Sequence, residues 1–299
     1  MSDTRKLPVF ASLGEVLSGV TRHYFQLLAV AWPAVIIILA AAFALGWQYY
    51  EAGVFQAYVA NNGAPDLAAI LAAQEKLAAP EVQALSWTAQ LGLMLASAVA
   101  AVRWHRFVLF GEGANGFGGI KLLRKEDGLY IWTTIKVLAL MFVALLAFIF
   151  LVMTVAAMKL PETANLALGL IAVIVAFWAY LVIFRLMLAL PDASVGQGGR
   201  VFAVFRQSAG NSWRLLGLVL LVGLSMIAIM LVIALVIGLV VSVLGIGFTT
   251  SPAALAVAAV AYLGIYLYFL MAQITMLSVA YREIIGLPQG GAGDHAVAA

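Results

Sequence analysis

The chain has 299 residues, of which 65% are hydrophobic and 10% charged; its net charge is +3 and it contains no cysteine. Soluble domains carry about 25% charged residues, so these few charges cannot cover a water-facing surface and most of the chain must face lipid. The lack of cysteine excludes disulfides, thiolate metal sites and cysteine nucleophiles.

Residues 1–9 read as a disordered polar tail. Ser12-Leu13-Gly14-Glu15 has the capping-box pattern, in which the Ser caps a backbone N–H three residues on and the Glu returns the bond. Leu13, Val16, Leu17, Val20 and Tyr24 then recur at helical spacing, which predicts a short amphipathic helix in the interface plane. Six apolar stretches follow that match the roughly 20 residues needed to cross a bilayer core. They lie near 26–47, 82–103, 132–157, 164–187, 213–245 and 253–281. The first is too long for a signal-peptide core and ends in Trp47, Tyr49 and Tyr50, so it reads as a retained helix with an aromatic belt.

An outer loop occupies 48–81. Within it Asn61-Asn62-Gly63 signals a turn, and Pro65-Asp66 opens a helix with the stripe Leu67, Ile70, Leu71 and Leu77. Pro80 starts the second span. Short loops at 158–163 and 246–252 make tight hairpins of the later spans, with Ser251-Pro252 starting the sixth. A second amphipathic lead-in spans 199–212, with Val201, Phe202, Phe205 and Ala209 on one face, before Gly210-Asn211 loosens the chain. A third, at 120–130, is shorter and more charged. The tail after Pro288 reads as disordered. The expected fold is all-α and polytopic: one membrane domain over 10–288, built as three repeated hairpins with interfacial lead-in helices. The repeats run over about 10–112, 117–192 and 199–288.

Charge placement predicts orientation. One side carries 14 basic and 8 acidic residues and the other 2 and 5, a net +6 against −3. The Lys/Arg-rich side is cytoplasmic, which puts both termini inside.

A pattern marks the ends of the even-numbered spans. Arg185 precedes Leu190-Pro191, Arg282 precedes Leu287-Pro288, and Val102–Glu112 is a looser copy around Arg106. The Pro reads as the point where the helix stops. Arg106, Arg185 and Arg282, with Arg214, are the candidates for binding anionic lipid headgroups at the inner face, since an Arg grips phosphate with two parallel bonds; ordinary snorkelling at helix ends is the competing reading. Polar groups inside the spans are few. Gln90, Ser97, Tyr262, Tyr266 and Gln273 are candidates to line a path between helices or to bond from helix to helix.

No Asp or Glu, and no Lys, Arg or His, lies in the middle of a span, which disfavours an ion-driven carrier. The histidines His23, His105 and His295 belong to no catalytic motif, and neither H-E-x-x-H, G-x-S-x-G nor a P-loop is present. The sequence therefore predicts no enzyme, no cofactor, no metal site and no nucleic-acid module.

Phe184-Arg185, Ala189-Leu190-Pro191 and the run Gly210-Asn211-Ser212-Trp213-Arg214-Leu215-Leu216-Gly217 resemble the core motif of the YciC-like six-helix bacterial inner-membrane proteins. These are similar to the membrane domain found beside glycerophosphodiester phosphodiesterases, whose catalytic domain is absent here. The resemblance implies the bacterial inner membrane and no particular activity. The expectation is a lipid-interacting membrane protein, a scaffold or accessory subunit with a protein partner or a second copy. The alternative is a transporter or channel for a small or amphipathic molecule.

Overall fold

A computed structural model of the chain describes residues 5–54, 57, 66–113, 123–157, 161–198, 200–244 and 252–287. Among these residues the fold is all-α, with no strand. The helices are α1 (Val9–Val30), α2 (Trp32–Ala52), α3 (Leu67–Leu77), α4 (Pro80–Phe110), α5 (Lys125–Ala157), α6 (Glu162–Met187), α7 (Ala189–Ser194), α8 (Val201–Gln207), α9 (Ser212–Leu244) and α10 (Pro252–Ile284). Six are long and apolar enough to cross a membrane: α2, α4, α5, α6 running on into α7, α9 and α10. The chain is an integral membrane protein of the multi-pass type. Consecutive spans pack as pairs, α2 with α4, α5 with α6, and α9 with α10.

The first span begins at Trp32, six residues later than the hydropathy suggests. Pro33 explains the shift. Its ring would clash with the preceding turn and it has no N–H to donate, so it is tolerated only in a helix's first turn. The helix breaks at Ala31 and restarts. Everything before the break becomes α1, a 22-residue helix rather than a short lead-in. Its stripe is the expected one, with Val16, Val20 and Leu27 buried, but it packs against α10, α9 and α4 as part of the core. Phe10 and Phe25 project from it, exposed. The capping box does not form. The helix starts after Pro8, whose carbonyl accepts from the Ser12 N–H at 2.9 Å, so Ser12 already lies inside the first turn and its hydroxyl is buried without a partner among the described residues.

Elsewhere the expected elements appear with local corrections. Asp66 caps α3, accepting from Ala68 and Ala69 N–H, but Leu67 and Leu71 of its stripe are exposed. Pro80 opens α4. The middle lead-in is not separate: its described part, from Lys125, is the first turns of α5. In α8, Val201 and Val204 are buried, whereas Phe202 is exposed, so the buried face is rotated from the expected one. Residues 5–8, expected to be a free tail, lie against α9, with Leu7 fully buried. Asn61-Asn62-Gly63, Pro65, Ser251, Pro288, residues 1–4 and the tail beyond 287 fall outside the described residues.

The Leu-Pro device also differs from expectation at its middle copy. α6 ends at Met187, the chain turns at Leu188, and α7 resumes with Pro191 in its first turn. Pro191 has no N–H for the Met187 carbonyl, which favours the break before it. α4 and α10 instead end on glycines with left-handed backbone, Gly111 at φ 67° and Gly286 at φ 89°.

Burial is unequal along the bundle. Over the span windows, 56% of α10 is buried, against 6% of α5, 6% of α6 and 11% of α9. The buried residues of these helices gather at one end: 127–137 on α5, 181–187 on α6, 215–226 on α9 and 267–284 on α10. That end also carries Arg103, Arg106, Arg185, Arg214 and Arg282. The bundle therefore has a tightly packed basic base, from which α5, α6 and α9 rise as arms with apolar, outward-facing surfaces.

Candidate functional site: a polar base and a flank groove

The base is built from polar side chains that arrive from widely separated helices. At the break after α1 the Leu27 carbonyl keeps only a long bond from the Ala31 N–H, at 3.4 Å. Trp104, fully buried on α4, donates its indole N–H to the Leu27 carbonyl at 2.6 Å. One residue on, His105 is fully buried against the Tyr130 ring, and its Nδ1 lies 2.7 Å from Ser278 Oγ. The Ser278 hydroxyl donates to the Ile274 carbonyl at 2.9 Å, so His105 Nδ1 carries the proton in this pair. His105 Nε2 has no hydrogen-bond partner among the described residues.

A buried carboxylate ties the exit of α6 to α10. Asp192, directly after Leu190-Pro191, is fully buried. It accepts from Tyr281 Oη at 3.0 Å, from the Arg200 backbone N–H at 3.1 Å and from Arg200 Nη2 at 3.2 Å. Nearby, Glu112 bridges two cations, Arg106 Nε at 2.5 Å and Arg124 Nη1 at 2.7 Å. Burial pushes the Glu112 carboxyl up, but the hydrogen bonds and charges of Arg124 and Arg106 outweigh it and hold the group below the usual carboxylate range. Asp127 accepts from the Arg124 N–H at 2.6 Å and so closes the first turn of α5.

The exit arginines each end on their own partners. Arg106 adds the Ser194 carbonyl at 3.2 Å to its Glu112 bond. Arg185 donates to Ser208 Oγ at 3.2 Å and to the Phe205 carbonyl, and its guanidinium lies 3.8 Å from the Phe205 ring centre. Arg282 reaches Glu15 at 2.6 Å and Glu283 at 3.1 Å. Arg214 donates to the Leu7 carbonyl at 2.9 Å. None of these bonds is shared between two exit arginines.

Of the polar span residues, Tyr262, Tyr266 and Gln273 come together. They line a groove of about 700 Å³ between α9 and α10, whose other walls include Met230, Ile233, Ile237 and Phe269. Tyr262 and Gln273 are exposed, so the groove opens on the flank of the bundle. Gln90 is exposed on α4 and Ser97 is half-buried there; neither lines this groove. Among the described residues no cluster of His, Asp and Glu could hold a metal ion.

Sequence reasoning missed Asp192, His105, Ser278 and Asn211 as organisers of the base. A signal for Asp192 was present, since a carboxylate directly after Leu-Pro on a basic face needs a partner. No family model, no curated protein and no solved structure matches the chain.

Proposed function

We propose that this protein is a non-enzymatic, lipid-interacting scaffold or accessory subunit, in the bacterial inner membrane that its resemblance to the YciC-like proteins implies. The basic base lies on the cytoplasmic side, with both termini there. The observation that carries this reading is the contrast between the base and the arms. The base is closed by buried hydrogen bonds, whereas α5, α6 and α9 keep almost none of their span surface for the chain itself. Apolar arms with so little buried span surface offer it to lipid tails or to another membrane helix, for which van der Waals fit is the main attraction.

The groove lined by Tyr262, Tyr266 and Gln273 favours a second reading, carriage of an amphipathic molecule along the flank. Its largely apolar walls suit an acyl chain better than a hydrated solute. Extraction in mild detergent followed by mass spectrometry of proteins and lipids separates the two. Co-purifying lipids or a stoichiometric partner support the first reading. A bare monomer that moves a labelled amphiphile between leaflets of reconstituted vesicles overturns it in favour of the second.

A further inference from the structure

The N-terminal strap is held by its backbone. Asn211 accepts from the Leu7 N–H at 3.0 Å and donates to the Arg5 carbonyl at 2.9 Å, while Arg214 donates to the Leu7 carbonyl at 2.9 Å. With Leu7 buried, the side chains of Arg5 and Lys6 are free to project. They project beside the end of α10. A Cβ built on Gly286 would lie 3.2 Å from Arg5 Nη1, so the guanidinium lies against a glycine whose φ of 89° already disfavours any other residue.

Here two depressions share Ile285, Gly286 and Leu287. One, of about 880 Å³, is lined by Arg5, Lys6, Arg282 and Glu283; the other, of about 510 Å³, has Arg200 on its wall. Arg282 is paired with Glu15 and Glu283. Arg5 and Lys6 have no ion pair within the described residues. The end of α10 adds the negative pole of a helix dipole, so any anion is held by these two side chains and the donors of Arg282 left over from its pairs.

We infer that the strap and the end of α10 form a binding basin for a phosphate-bearing anion, supplied by the headgroup of an anionic lipid, with Arg5 and Lys6 as its principal contacts. This rests on the lipid-interacting reading above and narrows it. The basin is made by the strap and the third exit, and Arg106 and Arg185 take no part because neither lines these depressions. Asn211 is a positioning residue, since it sets the strap without reaching the anion.

Full-length protein in detergent is titrated with phosphatidylglycerol or phosphatidylcholine and bound lipid is counted by native mass spectrometry. Each surface cation near an anionic headgroup is worth enough that losing two weakens binding about 10- to 30-fold. The double variant Arg5→Gln/Lys6→Gln is expected to lose phosphatidylglycerol by that factor. The double variant Lys125→Gln/Arg206→Gln, which removes the same charge elsewhere, is expected to stay within about threefold. Asn211→Ala, which leaves the charge unchanged, is expected to weaken binding as well. Equal losses in the two double variants overturn the basin in favour of general surface charge. A parallel titration with glycerol phosphate tests the source. Saturable binding lost in Arg5→Gln/Lys6→Gln supports the basin with a soluble phosphate as its ligand, and no binding supports the membrane source if phosphatidylglycerol binds. If wild-type protein shows no preference for phosphatidylglycerol over phosphatidylcholine, the broader lipid reading fails together with the basin.

Discussion

Replacing Asp192 with Ala removes the acceptor for three donors at once. Tyr281, itself buried, loses the partner of its hydroxyl at 3.0 Å; a buried donor left unsatisfied costs about 1–3 kcal/mol. The Arg200 backbone N–H, at 3.1 Å, loses a charge-assisted bond worth about 1.5 kcal/mol. The guanidinium contact adds little, because the Arg200 side chain is 49% exposed and such pairs contribute at most about 1 kcal/mol. Asp192→Ala should therefore cost about 3–4 kcal/mol. Asp192→Asn keeps one acceptor oxygen, turns an amide N–H₂ toward a donor, and should cost about 2 kcal/mol. Tyr281→Phe and Arg200→Ala should each cost about 1 kcal/mol or less. Reversible unfolding in mixed mild-detergent and dodecyl-sulfate micelles measures these values, and a double-mutant cycle between Asp192→Ala and Tyr281→Phe should return a coupling of about 1 kcal/mol. A cost for Asp192→Ala no larger than that for Arg200→Ala would refute the reasoning, since the buried bonds would then contribute nothing beyond an exposed ion pair.

The same assay reports on Glu112. Its pKa is depressed in the folded state, so its contribution is present above the ordinary carboxylate value and disappears as pH falls through the folded one. Glu112→Gln should flatten the loss of stability between about pH 5 and pH 3, by under about 1 kcal/mol because the group is partly exposed. Trp104→Phe should cost about 1 kcal/mol, because the Leu27 carbonyl then keeps only its long bond from the Ala31 N–H at 3.4 Å; an unchanged unfolding curve would show that the indole bond contributes nothing. Because the chain has no cysteine, single introduced thiols report topology without background. Glu75→Cys should react with an impermeant maleimide on intact cells and Lys125→Cys only after permeabilisation, and the reverse pattern would invert the proposed orientation.

The six spans were legible because lipid leaves no alternative to about 20 consecutive apolar residues. Helix starts at Pro80 and Asp66 were legible for local reasons, a missing N–H and a capping carboxylate. The break at Ala31 was misjudged although Pro33 marks it, because hydropathy is continuous across it. The base was hidden for another reason. His105 and Ser278 are 173 positions apart and Leu7 and Asn211 are 204 apart, and no spacing rule links such residues. Tyr262, Tyr266 and Gln273 were found together because helical periodicity alone places them on one side of α10. The common fate expected of the exit arginines came from the repeat, whereas their partners Glu112, Ser208 and Glu15 differ between copies.

The concentration of contacts at the base bears on how the chain is assembled. α1 closes against α10, with Thr21 meeting Tyr268 across 247 residues, and the strap closes on α9. Neither surface exists until the last third of the chain has been synthesised. During synthesis the early spans must stay in the bilayer without these late partners, and α6 gains its packing on α9 only once α9 has been made. Membrane insertion and tertiary closure are thus separate events in this chain, and closure waits for the arrival of its final helix.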